Sequence, residues 1–270
     1  MPIRHIRERI MDFIRPSEGR MLERLRTMDR FVGGEVRVFG WELAYVDGPS
    51  LWSCLDVIVR KGWNDFSAES DTPVIIDCGA NIGVSVLHYK RLYPGARIVA
   101  FEPDPKFLPA LKSNLARNGA GDVVVVEAAA WTRNGVVPFF CEGADGSRVI
   151  QGHESYPEAI SVRSVDLSAY LDDPVDLVKM DIEGAEFEVI PHLGKKLAQV
   201  KNLVVECHLD NKDIGRFSRL LGALASAGFR VALNSYGRWV DLVRRSDPAR
   251  NEFDQYILLV AWRASQGAGS

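Results

Sequence analysis

The chain has 270 residues, 47% of them hydrophobic, with 33 Lys and Arg against 36 Asp and Glu, for a formal charge of −3. That suffices for the core of one large α/β domain with an N-terminal appendage, and the slightly acidic balance supplies no basic field for nucleic acid. No apolar run of about 18 residues and no signal-peptide pattern is present, and Cys54, Cys78, Cys141 and Cys207 lack C-x-x-C spacing, so the expectation is a cytoplasmic chain with reduced thiols and no transmembrane segment.

In chain order, the first thirty residues are helical in pattern and rich in arginine, with Ile3, Ile6, Ile10, Phe13 and Ile14 at helical spacing. Pro16 predicts a division into two helices. Acidic residues interleaved with the arginines (Glu8, Asp12, Glu18, Glu23 and Asp29) favour a helix packed on the domain, with peripheral membrane contact as the alternative. Residues 35–47 read as a hairpin turning near Gly40, and 50–61 as a helix; together, 1–70 form a helical and hairpin cap on a main domain of 71–270. From there strands (74–78, 97–102, 122–127, 175–181, 202–208, 228–234, 254–262) alternate with helices (83–93, 104–118, 185–198, 212–227), the pattern of a doubly wound, mostly parallel sheet. Between the third and fourth strands, two β-like runs, 136–140 and 159–165, flank a polar stretch, 142–158, and read as a hairpin insertion with a mobile loop.

The segment Asp77-Cys78-Gly79-Ala80-Asn81-Ile82-Gly83 follows the apolar run Val74-Ile75-Ile76 and precedes a helical pattern. A strand, a tight glycine turn and a helix start form the place where open α/β sheets bring backbone N–H groups to a ligand. The next strand ends in Glu102-Pro103, a carboxylate about 20 residues beyond the glycines, where ribose hydroxyls are held. A dinucleotide fingerprint needs glycine where this chain has Asn81 and Val84, which weakens the pyrophosphate reading. Asp77 at the strand tip would repel phosphate and suits an ammonium near a sulfonium. S-adenosylmethionine fits that description.

A second cluster, Asp176-Leu177-Val178-Lys179-Met180-Asp181-Ile182-Glu183-Gly184-Ala185-Glu186, sends Asp181 and Glu183 to the same carboxyl edge. Glu186 is accounted for by the positive N-terminus of the following helix and left out of the site. Lys179 shares a face with Asp181 and, if buried, needs a carboxylate partner. A third strand end, Glu206-Cys207-His208, places Glu206 and His208 on one face, with His208 as the group best suited to titrate near neutral pH.

Together the Asp77 to Gly83 turn, Phe101-Glu102-Pro103, Ser164-Val165-Asp166-Leu167, the Lys179 to Glu186 block and Glu206-Cys207-His208 resemble the FkbM-type S-adenosylmethionine-dependent methyltransferases, over residues 73–208 with a looser continuation. The resemblance implies a Rossmann-like (class I) methyltransferase fold with a seven-stranded sheet, and O-methylation of a hydroxyl on a sugar, glycan or natural product. On that reading Asp77, Gly79, Asn81 and Gly83 hold the methionine portion of the cofactor and Glu102 its ribose. Methyl transfer is an in-line displacement, so the acceptor oxygen must be aligned and deprotonated; Asp181, Glu206 and His208 are the candidates. A divalent ion on Asp181, Glu183 and Glu206 is the competing account, and the metal-free version is preferred. The 142–158 stretch reads as a lid over a hydroxyl-rich acceptor. Trp41, Trp52 and Trp63 read as packing residues before sugar platforms. Two other classes share parts of this pattern: a nicotinamide-dependent oxidoreductase and a non-catalytic partner-binding module. Oligomeric state is left open.

Overall fold

The computed structural model describes residues 16–144, 146–151, 156–209, 214–236 and 255–263. The stripe from Ile3 to Ile14 and the tail after Arg263 lie outside the described residues, as do Asp145 and 152–155 within the polar insertion.

Helix α1 (Pro16–Arg26) leads into a hairpin of β1 (Gly34–Val38) and β2 (Trp41–Tyr45). The hairpin turns at Phe39 and Gly40, whose φ angles of 51° and 78° are the paired positive values that match strand twist in a two-residue loop. Helix α2 (Gly48–Cys54) begins ahead of Ser50 because Asp47 caps it, its carboxylate accepting the Ser50 N–H at 2.9 Å. It then widens into a π-helical stretch, Leu55–Arg60, a distortion that recurs beside functional sites. Asn114 fixes the hairpin to the main domain, accepting from Ala44 N at 2.7 Å and donating to Ala44 O at 2.9 Å. Leu22, Leu25, Val38 and Leu43 of these N-terminal elements share one apolar cluster with Leu87, Tyr89 and Leu111. Trp41 is buried with the Arg91 guanidinium 3.6 Å over its ring, and Trp63 carries the Lys61 ammonium at 4.8 Å, so both serve packing.

The remaining elements are β3 (Val74–Cys78), α3 (Val84–Leu92), β4 (Arg97–Phe101), α4 (Leu108–Arg117), β5 (Val124–Val126), β6 (Ala129–Trp131), β7 (Gly135–Phe140), β8 (Arg148–Val149), β9 (Ile160–Asp166), β10 (Val175–Met180), α5 (Glu186–Leu193), β11 (Val200–Leu209), α6 (Ile214–Ser226), β12 (Arg230–Tyr236) and β13 (Gln255–Trp262). Seven strands make one sheet in the order β12-β13-β11-β10-β3-β4-β5. It is parallel from β11 to β5, and β13 pairs antiparallel with both β11 and β12. All six residues of β10 are buried, as expected of a central strand covered on both faces. The order reverses between β3 and β10, and ligands bind at such a reversal, outside the carboxyl ends of the strands.

Three expectations shift. The 122–127 strand is shorter, because a tight turn with Ala128 N donating to Val126 O at 2.8 Å sends the chain out as β6 into a second sheet, β6-β9-β7-β8. Pairing of β7 with β9 matches the expected hairpin insertion. Helix α4 starts late, since Phe107 and Leu108 donate to Asp104 O in a preceding turn. Helix α5 ends early at Gly194, which has φ of 50°, and continues as a 3₁₀ stretch, Gly194–Gln199. Among the described residues no helix is long and apolar enough to cross a membrane.

Candidate active site

The turn after β3 is built on close backbone approach. Gly79 has φ of +84°, and a Cβ there would lie 1.9 Å from Asp181 O, so only glycine lets the ends of β3 and β10 meet. Gly83 has φ of +92°, but its Cβ would meet the tip of Leu111 at 2.9 Å, a side chain able to yield. Gly79→Ala is therefore expected to lower stability by about 2–4 kcal/mol, and Gly83→Ala by less. Urea unfolding of the two variants measures this, and the reverse order would show that close approach is not what Gly79 supplies.

The N–H groups of this turn are consumed internally. Gly79 and Ala80 donate to Phe101 O at 3.0 Å each, Asn81 to Glu102 Oε2 at 2.7 Å, Ile82 to the Asn81 side chain at 2.8 Å and Gly83 to Ala80 O at 2.8 Å. The expectation of N–H groups offered to a ligand is thus corrected: the turn forms no anion cradle, and a pyrophosphate would find no donors there. Glu102 also accepts the Asp104 N–H at 2.8 Å. Burial pushes its carboxyl up to about 7 against the lowering effect of the Asp104 and Asn81 N–H groups.

Asp77 also differs from the expectation. Its carboxylate is fully buried, accepts the Ser85 hydroxyl at 2.5 Å and lies 3.2 Å from Lys179 Nζ. Asp77 and Lys179 are register neighbours on β3 and β10, so pairing follows from the topology. The ammonium also donates to Gly79 O at 2.7 Å and lies 3.7 Å from Asp181. Burial alone would pull Lys179 down, but Asp77 and then Asp181 more than reverse that and hold it above its usual range. Burial raises Asp77, against Lys179 and Ser85. The carboxylate therefore anchors the floor of the turn from behind.

At the ends of β10 and β11, His208 Nε2 lies 3.2 Å from Glu183, 3.7 Å from Glu206 and 3.9 Å from Asp181. Asp181, Glu206 and His208 each bring one ligating atom within 4.8 Å of the others. Glu183 reaches the group from a left-handed backbone with φ of 55°, strain of a kind that clusters at functional sites. Burial pushes Glu183 well above the ordinary carboxyl range, with His208 opposing. Burial would lower His208, but Glu183, Glu186 and Asp181 hold it well above its ordinary value.

Sequence reasoning left out Glu186, which proves central. Fully buried, it accepts the Gly184 N–H at 2.9 Å through one oxygen and the His208 N–H at 3.0 Å through the other. It ties the turn after β10 to the end of β11.

A cavity of about 660 Å³ opens at this edge. Gly79, Asn81 and Glu102 line it together with Asp181, Glu183, Glu206 and His208; Asp77 and Gly83 are not part of the lining. The π-helical residues Val57 and Ile58 and the insertion residues Glu142, Gly146, Ser147, Arg148 and Val149 complete it. Arg148 is held by the Tyr156 hydroxyl and by Gly146 O at 3.2 Å.

A family model described as "Methyltransferase FkbM domain" matches residues 77–231. Methyltransferase sdnD of Sordaria araneosa is 30% identical over 178 residues, 53% of this chain and 69% of that protein. The 2-O-methyltransferase NoeI of Sinorhizobium fredii is 28% identical, over 51% of this chain and 64% of that protein. The hexuronic acid methyltransferase AglP of Haloferax volcanii is 30% identical, over 54% of this chain and 61% of that protein.

Proposed function

Because the chain belongs to the FkbM methyltransferase family, we propose that it transfers the methyl group of S-adenosylmethionine to a hydroxyl oxygen of a sugar, glycan or similar polyhydroxylated acceptor. The observation that carries this reading is one cavity lined both by the glycine turn with Glu102 and by Asp181, Glu206 and His208. Gly79 and Asn81 shape the seat of the methionine portion and Glu102 accepts the ribose hydroxyls. Asp77 acts through Lys179 and Ser85, keeping the turn in place. Asp181, Glu206 and His208 orient the acceptor oxygen on the methyl–sulfur axis; His208, which its carboxylate neighbours hold in the charged form, positions that oxygen, and the Asp181 or Glu206 carboxylate takes its proton. The names of NoeI and AglP, a 2-O-methyltransferase and a hexuronic acid methyltransferase, support a hydroxyl or sugar acceptor. The exhausted N–H groups of the turn argue against a dinucleotide and hence against a nicotinamide-dependent oxidoreductase. Incubation with methyl-labelled S-adenosylmethionine and a panel of hydroxylated sugars tests the proposal; cofactor binding without label transfer to any oxygen would limit the chain to another methyl acceptor.

Glu102 makes cofactor binding pH-dependent. Ribose hydroxyls donate to the ionised carboxylate, whereas a carboxyl raised from 4.5 to about 7 is mostly protonated at pH 6. The affinity should therefore rise about tenfold between pH 6 and pH 8. Glu102→Gln should flatten that profile and weaken binding by about 1–3 kcal/mol. Calorimetry across this range decides; a flat wild-type profile removes Glu102 from the ribose seat.

The insertion is the proposed lid. Exchanging residues 145–153 for a Gly-Ser linker should raise the acceptor KM or abolish turnover while leaving cofactor affinity unchanged. Wild-type kinetics in that variant would move acceptor specificity to the N-terminal segment.

A further inference from the structure

We propose that Asp181, Glu206 and His208 form a binding site for a divalent cation, whose open positions face the cavity and take the acceptor hydroxyl. The ion's contact with an acceptor hydroxyl rests on the proposed methyl transfer to a hydroxylated acceptor; the cation site does not.

Three observations carry it. The first is spacing. Ligands bonded at about 2.1 Å to one octahedral ion lie roughly 3 Å apart when adjacent and roughly 4.2 Å apart when opposite. His208 Nε2 is 3.7 Å from Glu206 and 3.9 Å from Asp181, so shifts of well under an ångström seat one ion between them. Glu183, 3.2 Å from the same nitrogen, stands at the distance of an adjacent ligand. The proposed ligand set thus has the His208 imidazole where the carboxylate-only set expected from sequence has Glu183.

The second is the orientation of that imidazole. Its Nδ1 lies 3.7 Å from the fully buried Glu186 carboxylate, while the same carboxylate holds the His208 backbone N–H at 3.0 Å. At 3.7 Å this is an ion-pair distance and not a hydrogen bond, but it places a carboxylate on the side of the ring from which metal-binding histidines are oriented, the other nitrogen turned toward the ion. Here that other nitrogen, Nε2, faces three carboxylates.

The third is charge. Asp181, Glu183, Glu186 and Glu206 converge on this corner, and the neighbouring ammonium of Lys179 is shared with Asp77 at 3.2 Å. Like charges gathered in a sheltered site repel one another unless protons or a cation stand between them; here the His208 ring and Glu183 hold protons, and a divalent ion would take the place of the proton on the ring. A divalent ion supplies that charge where an acceptor oxygen must lose its proton, and hydroxyls bound to such an ion ionise more readily. Two carboxylates with one imidazole suit Mn²⁺, Fe²⁺ or Zn²⁺ as well as Mg²⁺.

The full chain, stripped of metal with chelator, is titrated with Mn²⁺ alone and followed by electron paramagnetic resonance. One ion per chain is expected, with ¹⁴N hyperfine coupling from the His208 ring. Asp181→Asn and His208→Gln should each weaken binding at least about tenfold, whereas Glu188→Gln, at the exposed end of an ion pair with Arg216, should bind as wild type. The ¹⁴N coupling is read on the wild-type protein, so it holds even where a variant fails to fold. Absence of Mn²⁺ binding at millimolar concentration, binding without ¹⁴N coupling, or equal binding in all variants overturns the site. Methyl transfer at full rate in excess chelator would overturn its role and leave the methyltransferase reading intact. Mn²⁺ binding without cofactor binding would do the reverse.

Discussion

Lys179→Met is expected to lower folding stability by about 3–5 kcal/mol, because it leaves a fully buried carboxylate without its cation. The Lys179 ammonium lies 3.2 Å from Asp77 and donates to Gly79 O at 2.7 Å. Methionine fills a similar volume, so the loss isolates charge and hydrogen bonding from packing. After the change Asp77 retains the Ser85 hydroxyl, one neutral donor where an ammonium stood. The carboxylate must then take up a proton or let water in, and either response loosens the turn that Gly79 and Asn81 shape. Cofactor affinity should fall together with stability. The double variant Asp77→Asn with Lys179→Met removes both charges and should recover much of the stability, as the replacement of whole buried pairs does. Urea unfolding of the two single variants and the double variant measures the coupling. A midpoint for Lys179→Met equal to wild type would mean that the pair carries none of the stability ascribed to it.

How much of this was legible in the sequence follows from where each signal resides. The parallel strands were readable because their covering helices make them continuous apolar runs, as in Val74-Ile75-Ile76 and Leu203-Val204-Val205. By contrast β6 and β8, of three and two residues, are too short for any periodicity to show. The π-helical stretch after α2 escaped because its apolar spacing scarcely differs from that of an α-helix over six residues. That Asp181, Glu206 and His208 come together at one edge was legible because a strand's end and its period of two suffice to place polar groups there. Asp77 sits at such an end as well, yet strand position does not reveal that its cross-strand neighbour is Lys179, which turns it from the ligand toward a buried pair. Glu186 was lost for the opposite reason: a carboxylate in the first turn of a helix has a sufficient local explanation, whereas its partner His208 lies 22 residues away. The sequence signal nearest to it is the Glu183-Gly184 pair, a turn in the structure with φ angles of 55° and 91°, whose Gly184 N–H the Glu186 side chain satisfies.

The reacting corner is where the largest kinetic effect is expected. His208→Ala should lower kcat by about 10²–10⁴-fold with cofactor affinity nearly unchanged. The backbone anchor survives this substitution, since Glu186 grips the His208 N–H rather than the ring alone. What disappears is the imidazole facing Asp181 and Glu206. Asp181→Asn should reduce kcat within the same range, because its oxygen acts on the same acceptor hydroxyl that His208 positions. The two losses must not multiply: groups that act as one unit lose most of their effect when the first is removed. The double variant Asp181→Asn with His208→Ala should therefore turn over at about the rate of the slower single variant. Independent contributions would instead compound to about 10⁴–10⁸-fold. Initial rates with labelled S-adenosylmethionine, taken alongside calorimetric cofactor affinities, separate these outcomes. Full activity in His208→Ala would reduce the imidazole to a packing group, and a multiplied loss in the double variant would show that Asp181 and His208 act at different steps.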